Sequence, residues 1–111
     1  MKQLIIFLSA LMVCSASVVA QTLDPVWIDV RTVEEYAESS IPGHANIPHI
    51  EIADKIATLV TDKNTPVYLY CVSGRRAGLA KASLEQLGYS NVTNTGTVET
   101  AQSCIQQILT C

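Results

Sequence analysis

The chain has 111 residues, 49% of them hydrophobic, and a formal net charge of −3 at pH 7. A chain this short holds one small core and no more. An acidic balance with no basic stripe argues against nucleic acid as the partner, and no repeat, linker or low-complexity tract breaks the sequence.

Residues 1–20, MKQLIIFLSALMVCSASVVA, have a lysine near the start, an apolar middle and small residues before Gln21. That is the pattern of a secretory signal peptide, with Val18 and Ala20 at the positions where small side chains favour cleavage. The apolar run from Leu4 to Val13 falls short of the roughly 20 residues that a membrane-spanning helix needs. A lipoprotein signal with Cys14 as the modified residue is the competing reading, but Val13 suits it poorly. The expectation is therefore a domain over residues 21–111, periplasmic or secreted, with no stable membrane span after cleavage. Losing Lys2 leaves six basic against ten acidic residues, a net charge of −4. Losing Cys14 leaves Cys71, Cys104 and Cys111. With an odd number in an oxidising compartment, at least one thiol must stay free, bind something or pair between chains.

In chain order, VWIDV (Val26–Val30) predicts a first strand, and Thr32 with Glu35 three residues on forms a capping box for a helix running to about Ser39. SSIPGHANIP marks a loop around a very short strand near Ala45–Ile47. Ile50, Ala53, Ile56, Ala57 and Val60 recur at helical spacing. PVYLYC is a continuous apolar run, as in a strand covered on both faces of a parallel sheet. Ala77, Ala80, Leu84 and Leu87 give the next helix its apolar face, with Gly88 as its stop. YSNVTN reads as a last strand, and Val98, Ala101, Ile105, Ile108 and Leu109 as a closing amphipathic helix. Strands alternating with helices predict a small α/β domain with a central, mostly parallel sheet. Ligands of such sheets sit beyond the carboxyl ends of the strands.

Cys71 falls at that end of the most apolar strand and opens the stretch CVSGRRAG. A cysteine that served only as core would need neither the glycine nor the two arginines. At a helix start the backbone N–H groups lack internal partners and, with the helix dipole, make an anion site. Gly74 permits the backbone angles that let several N–H groups converge. Arg75 and Arg76 add positive charge on planar forks suited to oxyanions. Such surroundings favour the thiolate form, which is the nucleophile.

Two blocks of sequence, VWIDVRTVEEYAESSIPGHANIP and YCVSGRRAGLAKASLEQLGYSNV, resemble the single-domain rhodanese family of thiosulfate sulfurtransferases, in its small secreted form. The resemblance implies that Cys71 accepts a sulfane sulfur from thiosulfate as a persulfide and passes it to a thiol or cyanide, with no metal or cofactor. It also implies that Cys71, Val72, Ser73, Gly74, Arg75 and Arg76 form the loop whose amides surround that sulfur. Cysteine phosphatases of similar fold use the longer C-x5-R loop. Here Arg76 gives C-x4-R, and the shorter loop suits one sulfur atom better than a phosphate. The chain departs from the family pattern at Ser40, His44, Val72 and Thr97, none of them a defining position of C-x-x-G-x-R.

Asp29 could orient an arginine of the loop or pair with Arg31 at the strand end. His44 and His49 lack ligand partners at metal spacing and read as surface or loop residues. Trp27, Tyr68 and Tyr70 read as core, and Gly74 with Gly78 makes no nucleotide-binding loop. Cys104 and Cys111 could form a disulfide, but seven helical residues span about 10.5 Å, against a limit of about 7 Å for a bridge, so the last turn would have to unwind. Two other functions stay open beside the enzyme. One is a sulfane-sulfur carrier or binding module, and the other is a thiol redox protein exchanging Cys71 with Cys104 or Cys111.

Overall fold

The computed structural model describes residues 23–107. The expected signal segment, the ends of the closing helix at Ile108 and Leu109, and Cys111 all lie outside the described residues. Among the described residues four strands form one sheet: β1 (Val26–Asp29), β2 (Ala45–Asn46), β3 (Val67–Cys71) and β4 (Val92–Thr97). Their order is β2-β1-β3-β4, and every pairing is parallel. The helices are α1 (Val33–Glu38), α2 (Ile52–Leu59, entered through a short 3-10 turn at His49–Glu51), α3 (Arg75–Gln86) and α4 (Val98–Gln106). This is the expected α/β architecture. Among the described residues no helix is long and apolar enough to cross a membrane.

The period-two alternation of strand side chains divides the core. Ile28, Val30, Val67, Leu69 and Cys71 pack with Ile52, Ile56 and Val60 near α2 and with Ala77, Ala80 and Leu84 of α3. Tyr70 packs on the other face with Ile41 and Ala101, flanked by Trp27 and Val98. In α2 the buried row is Ile52, Ile56 and Val60, whereas Ile50, Ala53 and Ala57 face solvent. This corrects the expected face of Ile50, Ala53, Ile56, Ala57 and Val60, of which only Ile56 and Val60 are buried, with Ile52 in place of Ile50. The 3-10 turn before α2 sets its phase, so a strict i, i+4 row meets the sheet and Ile50 is left 80% exposed. Leu87, expected on the buried face of α3, is likewise exposed, because the helix ends at Gln86 and Gly88 reverses the chain with φ +95°.

Thr32 and Glu35 form the expected capping box, and α1 ends at Glu38. A second capping box was not foreseen. Thr97 caps α4, its hydroxyl accepting from the Thr100 N–H at 3.1 Å. The threonine that departs from the family pattern therefore starts the last helix. Cys104, on α4, is disulfide-bonded, and its partner lies outside the described residues.

Candidate active site

The strand order places a switch point between β1 and β3. From β1 the chain moves outward to β2, and from β3 it moves the other way to β4. Crevices at such points, beyond the strand ends, are where parallel sheets bind ligands. The carboxyl end of β3 delivers Cys71 there, and the carboxyl end of β1 delivers Asp29.

Cys71 is free and 0% exposed, with its sulfur under the loop that follows. The Gly74 N–H donates to Cys71 Sγ at 3.0 Å. Gly74 can do so because it turns the chain with φ +86° immediately before α3, a region open to glycine without steric cost. The sulfur is thus core by burial and site by its bonding: it faces a backbone donor at the positive end of a 12-residue helix. Val72, Ser73 and Arg75 are exposed on the loop.

The loop rests on β4. Asn94 donates from Nδ2 to the Gly74 carbonyl at 2.9 Å, and its Oδ1 accepts from the Gly96 N–H at 2.9 Å. A Cβ on Gly74 would stand 3.2 Å from Gly96 Cα, so the two glycines let the backbones meet. Sequence reasoning missed Asn94. Its only signal was an asparagine two residues before a glycine at a strand end.

The two arginines have different partners. Arg76 makes a bidentate ion pair with Glu35, Nη1–Oε1 2.7 Å and Nη2–Oε2 3.1 Å. The arginine holds the Glu35 carboxyl down at about 2, helped by the Thr32 N–H, and the carboxylate in turn raises the Arg76 pKa. Arg75 makes no ion pair among the described residues. Glu35 had been legible only as a helix cap. Its second role needs β1–α1 and β3–α3 to stand side by side.

Asp29 does not reach the loop. It is buried and takes three bonds from Arg31, Nε–Oδ1 and Nε–Oδ2 at 2.9 Å and Nη2–Oδ2 at 2.7 Å. The Arg31 N–H adds a fourth at 3.0 Å, and Arg31 Nη2 continues to the Ser39 carbonyl at 2.6 Å. Of the two roles open to Asp29, the structure selects the strand-end pair with Arg31, because those two side chains close on each other across two residues.

His44 lies in the loop before β2, one of its two expected placements, and is half-buried there. Its Nδ1 lies 2.7 Å from the Tyr70 hydroxyl, and its ring stacks 5.5 Å from Trp27, which stacks 4.4 Å from Tyr68. Burial lowers the His44 pKa and raises that of Tyr70, and the imidazole tautomer sets which of the two donates in their hydrogen bond. His49 serves through its backbone, its N–H donating to the Val30 carbonyl at 3.1 Å. No group of three or more potential metal-ligating side chains occurs among the described residues.

The site thus combines a buried cysteine at a strand end, a glycine amide on its sulfur and an arginine five residues on. The sequence profile of the rhodanese-like domain matches residues 15–95, well over half of the chain. The chain is 47% identical over 70 residues to thiosulfate sulfurtransferase PspE of Escherichia coli K12, covering 63% of this chain and 67% of that one. It is 36% identical over 75 residues to a sulfurtransferase of Allochromatium vinosum, covering 68% of each. Among solved structures, a rhodanese with anions from E. coli superposes with a TM-score of 0.66 at 43% identity, over 69% of this chain and 91% of that one. A rhodanese-like domain protein from Staphylococcus aureus gives 0.61 at 28% identity, over 72% and 76%. The chain belongs to the rhodanese-like domain family.

Proposed function

We propose that this chain is a sulfurtransferase that carries sulfane sulfur on Cys71, with thiosulfate as donor and a thiol or cyanide as acceptor. The observation that carries the reading is the Gly74 N–H on Cys71 Sγ at 3.0 Å, at the start of α3. A backbone donor at a helix N-terminus stabilises negative charge on that sulfur before and after transfer. The thiolate attacks the outer sulfur of thiosulfate and a new S–S bond forms. The old S–S bond breaks, and its electron pair leaves with sulfite. The enzyme is then a persulfide anion. Cyanide attacks the terminal sulfur, leaves as thiocyanate and returns the thiolate, while a thiolate acceptor leaves as a persulfide. Neither half needs an outside oxidant or a metal.

Residues 1–20 serve as a signal peptide in this reading, and the domain works in the periplasm or outside the cell. The disulfide at Cys104 supports an oxidising compartment, with Cys111 as the proposed partner. Cys71 is then the thiol left for chemistry.

The test is intact-mass analysis of the protein after mixing with thiosulfate. One added sulfur atom is expected, absent in Cys71→Ser and removed by cyanide with thiocyanate released. No gain of sulfur would sink the proposal. Gain without turnover would leave a carrier rather than an enzyme.

A further inference from the structure

We infer that the two adjacent arginines of the loop divide their work, and that Glu35 makes the division: Arg76 braces the loop, while Arg75 recognises the anionic end of the sulfur donor. This rests on the sulfurtransferase reading above.

Both guanidinium Nη atoms of Arg76 are occupied by the two oxygens of one carboxylate, at 2.7 and 3.1 Å. The pair therefore brings no net charge to the crevice. What it does bring is a rigid tie from α1 to α3 across the switch point between β1 and β3. Glu35 is itself fixed at its own end, since its Oε1 accepts from the Thr32 N–H at 3.1 Å and its N–H donates to the Thr32 hydroxyl at 3.2 Å. Glu35 is thus a positioning residue: through Arg76 it sets where the first turn of α3, and with it the Gly74 amide, stands over Cys71 Sγ.

Arg75 differs from Arg76 in its surroundings. It is exposed, opens α3 and has no carboxylate within ion-pair distance among the described residues. A thiosulfate dianion approaching a thiolate meets like charge, and Arg75 is the cation of the loop left uncompensated. Its planar fork matches two sulfonate oxygens at once.

Three roles for Glu35 make different predictions for Glu35→Gln, a change that keeps a side chain competent in the capping box. If Glu35 only caps α1, little changes. If it only cancels charge, releasing Arg76 tightens the donor and lowers KM. If it braces the loop, kcat falls although the site has become more positive.

The experiment is steady-state kinetics with cyanide as acceptor and two donors, thiosulfate with two negative charges and methanethiosulfonate with one. Arg75→Gln is expected to lower kcat/KM for thiosulfate about tenfold, the low end for a charge-assisted contact because the side chain is exposed, carried by KM. The loss should be smaller for methanethiosulfonate and partly recovered in Arg75→Lys. Glu35→Gln and Arg76→Gln are each expected to lower kcat roughly tenfold with both donors, through misplacement of the loop. The double variant should cost no more than either single one, as for two ends of one tie. Should Glu35→Gln fail to fold, Arg76→Gln decides the brace, because it leaves the cap of α1 intact.

Arg75→Gln within about twofold of the wild type on thiosulfate would overturn the recognition role. Glu35→Gln or Arg76→Gln retaining kcat would overturn the brace. Failure of the wild type to take sulfur from either donor would instead remove the sulfurtransferase reading itself.

Discussion

Cys71 shows how one residue can belong to the core and to a site. Its side chain is packed with Leu69 and Ala77 in the main cluster, yet its sulfur accepts a backbone N–H. Glu35 is comparable, since one carboxylate caps α1 and holds Arg76. That double use has a pH consequence. Its carboxyl sits at about 2 instead of the ordinary 4.5, mainly through the bond to Arg76. Between those values the unfolded chain binds the proton and the folded one does not. The stability contributed by the pair is therefore complete above about pH 4.5 and is lost as pH falls through about 2. The side chains are partly exposed, 23% for Arg76 and 33% for Glu35, so solvent screening keeps the contribution to about 1 kcal/mol. Urea unfolding followed from pH 6 down to pH 2 should show this loss, and Glu35→Gln should flatten it; an unchanged slope would count against the pair. His44 titrates in the same direction. Its pKa is lowered by burial, so its protonation on acidification also weakens the fold.

Among the elements, the loop from β3 to α3 is the most constrained. Gly74 holds φ +86°, and a Cβ there would press to 3.2 Å from Gly96 Cα. Both the left-handed backbone and the backbone contact oppose any side chain. Gly74→Ala should cost about 1–3 kcal/mol and move the amide off Cys71 Sγ. Thermal unfolding would show the first effect and sulfur loading the second; a stable and fully active variant would contradict the role given to this glycine. The cap of α4, unlike that of α1, is separable from the chemistry. Thr97→Ala removes the acceptor for the Thr100 N–H and should cost about 1 kcal/mol, with sulfur loading retained when assayed well below the melting temperature.

For the molecule as a whole, the parallel sheet with helices on both faces supplies stability near α2 and α3 and leaves its carboxyl edge to the site. Ile56 is 1% exposed beneath the sheet, and Ile56→Ala should cost about 2–5 kcal/mol. A loss below 1 kcal/mol in chemical denaturation would mean that the cluster had repacked around the gap. The cysteines give a second whole-molecule test. With Cys71 free and Cys104 bridged, alkylation in denaturant without reductant should label Cys71 and spare Cys104. Cys71 found in a disulfide would count against the role proposed for it as sulfur carrier.

The alternating pattern of apolar strands and amphipathic helices carried the α/β class, because burial of a parallel sheet demands that pattern whatever the details. Local chemistry was equally legible. The Thr32–Glu35 cap, the glycine turn after Cys71 and the C-x4-R spacing depend on residues within a few positions of one another. What sequence could not decide were contacts between segments far apart along the chain. Whether Ile50 or Ile52 faced the sheet turned on one 3-10 turn, and Asn94 entered the loop only because β4 lies beside β3. Glu35 and Arg76 are 41 residues apart and meet because β1 and β3 are neighbours at the switch point. CVSGRRAG therefore announced a cysteine followed by two arginines, but the strand order decided which of them pairs with Glu35 and which has no ion pair among the described residues.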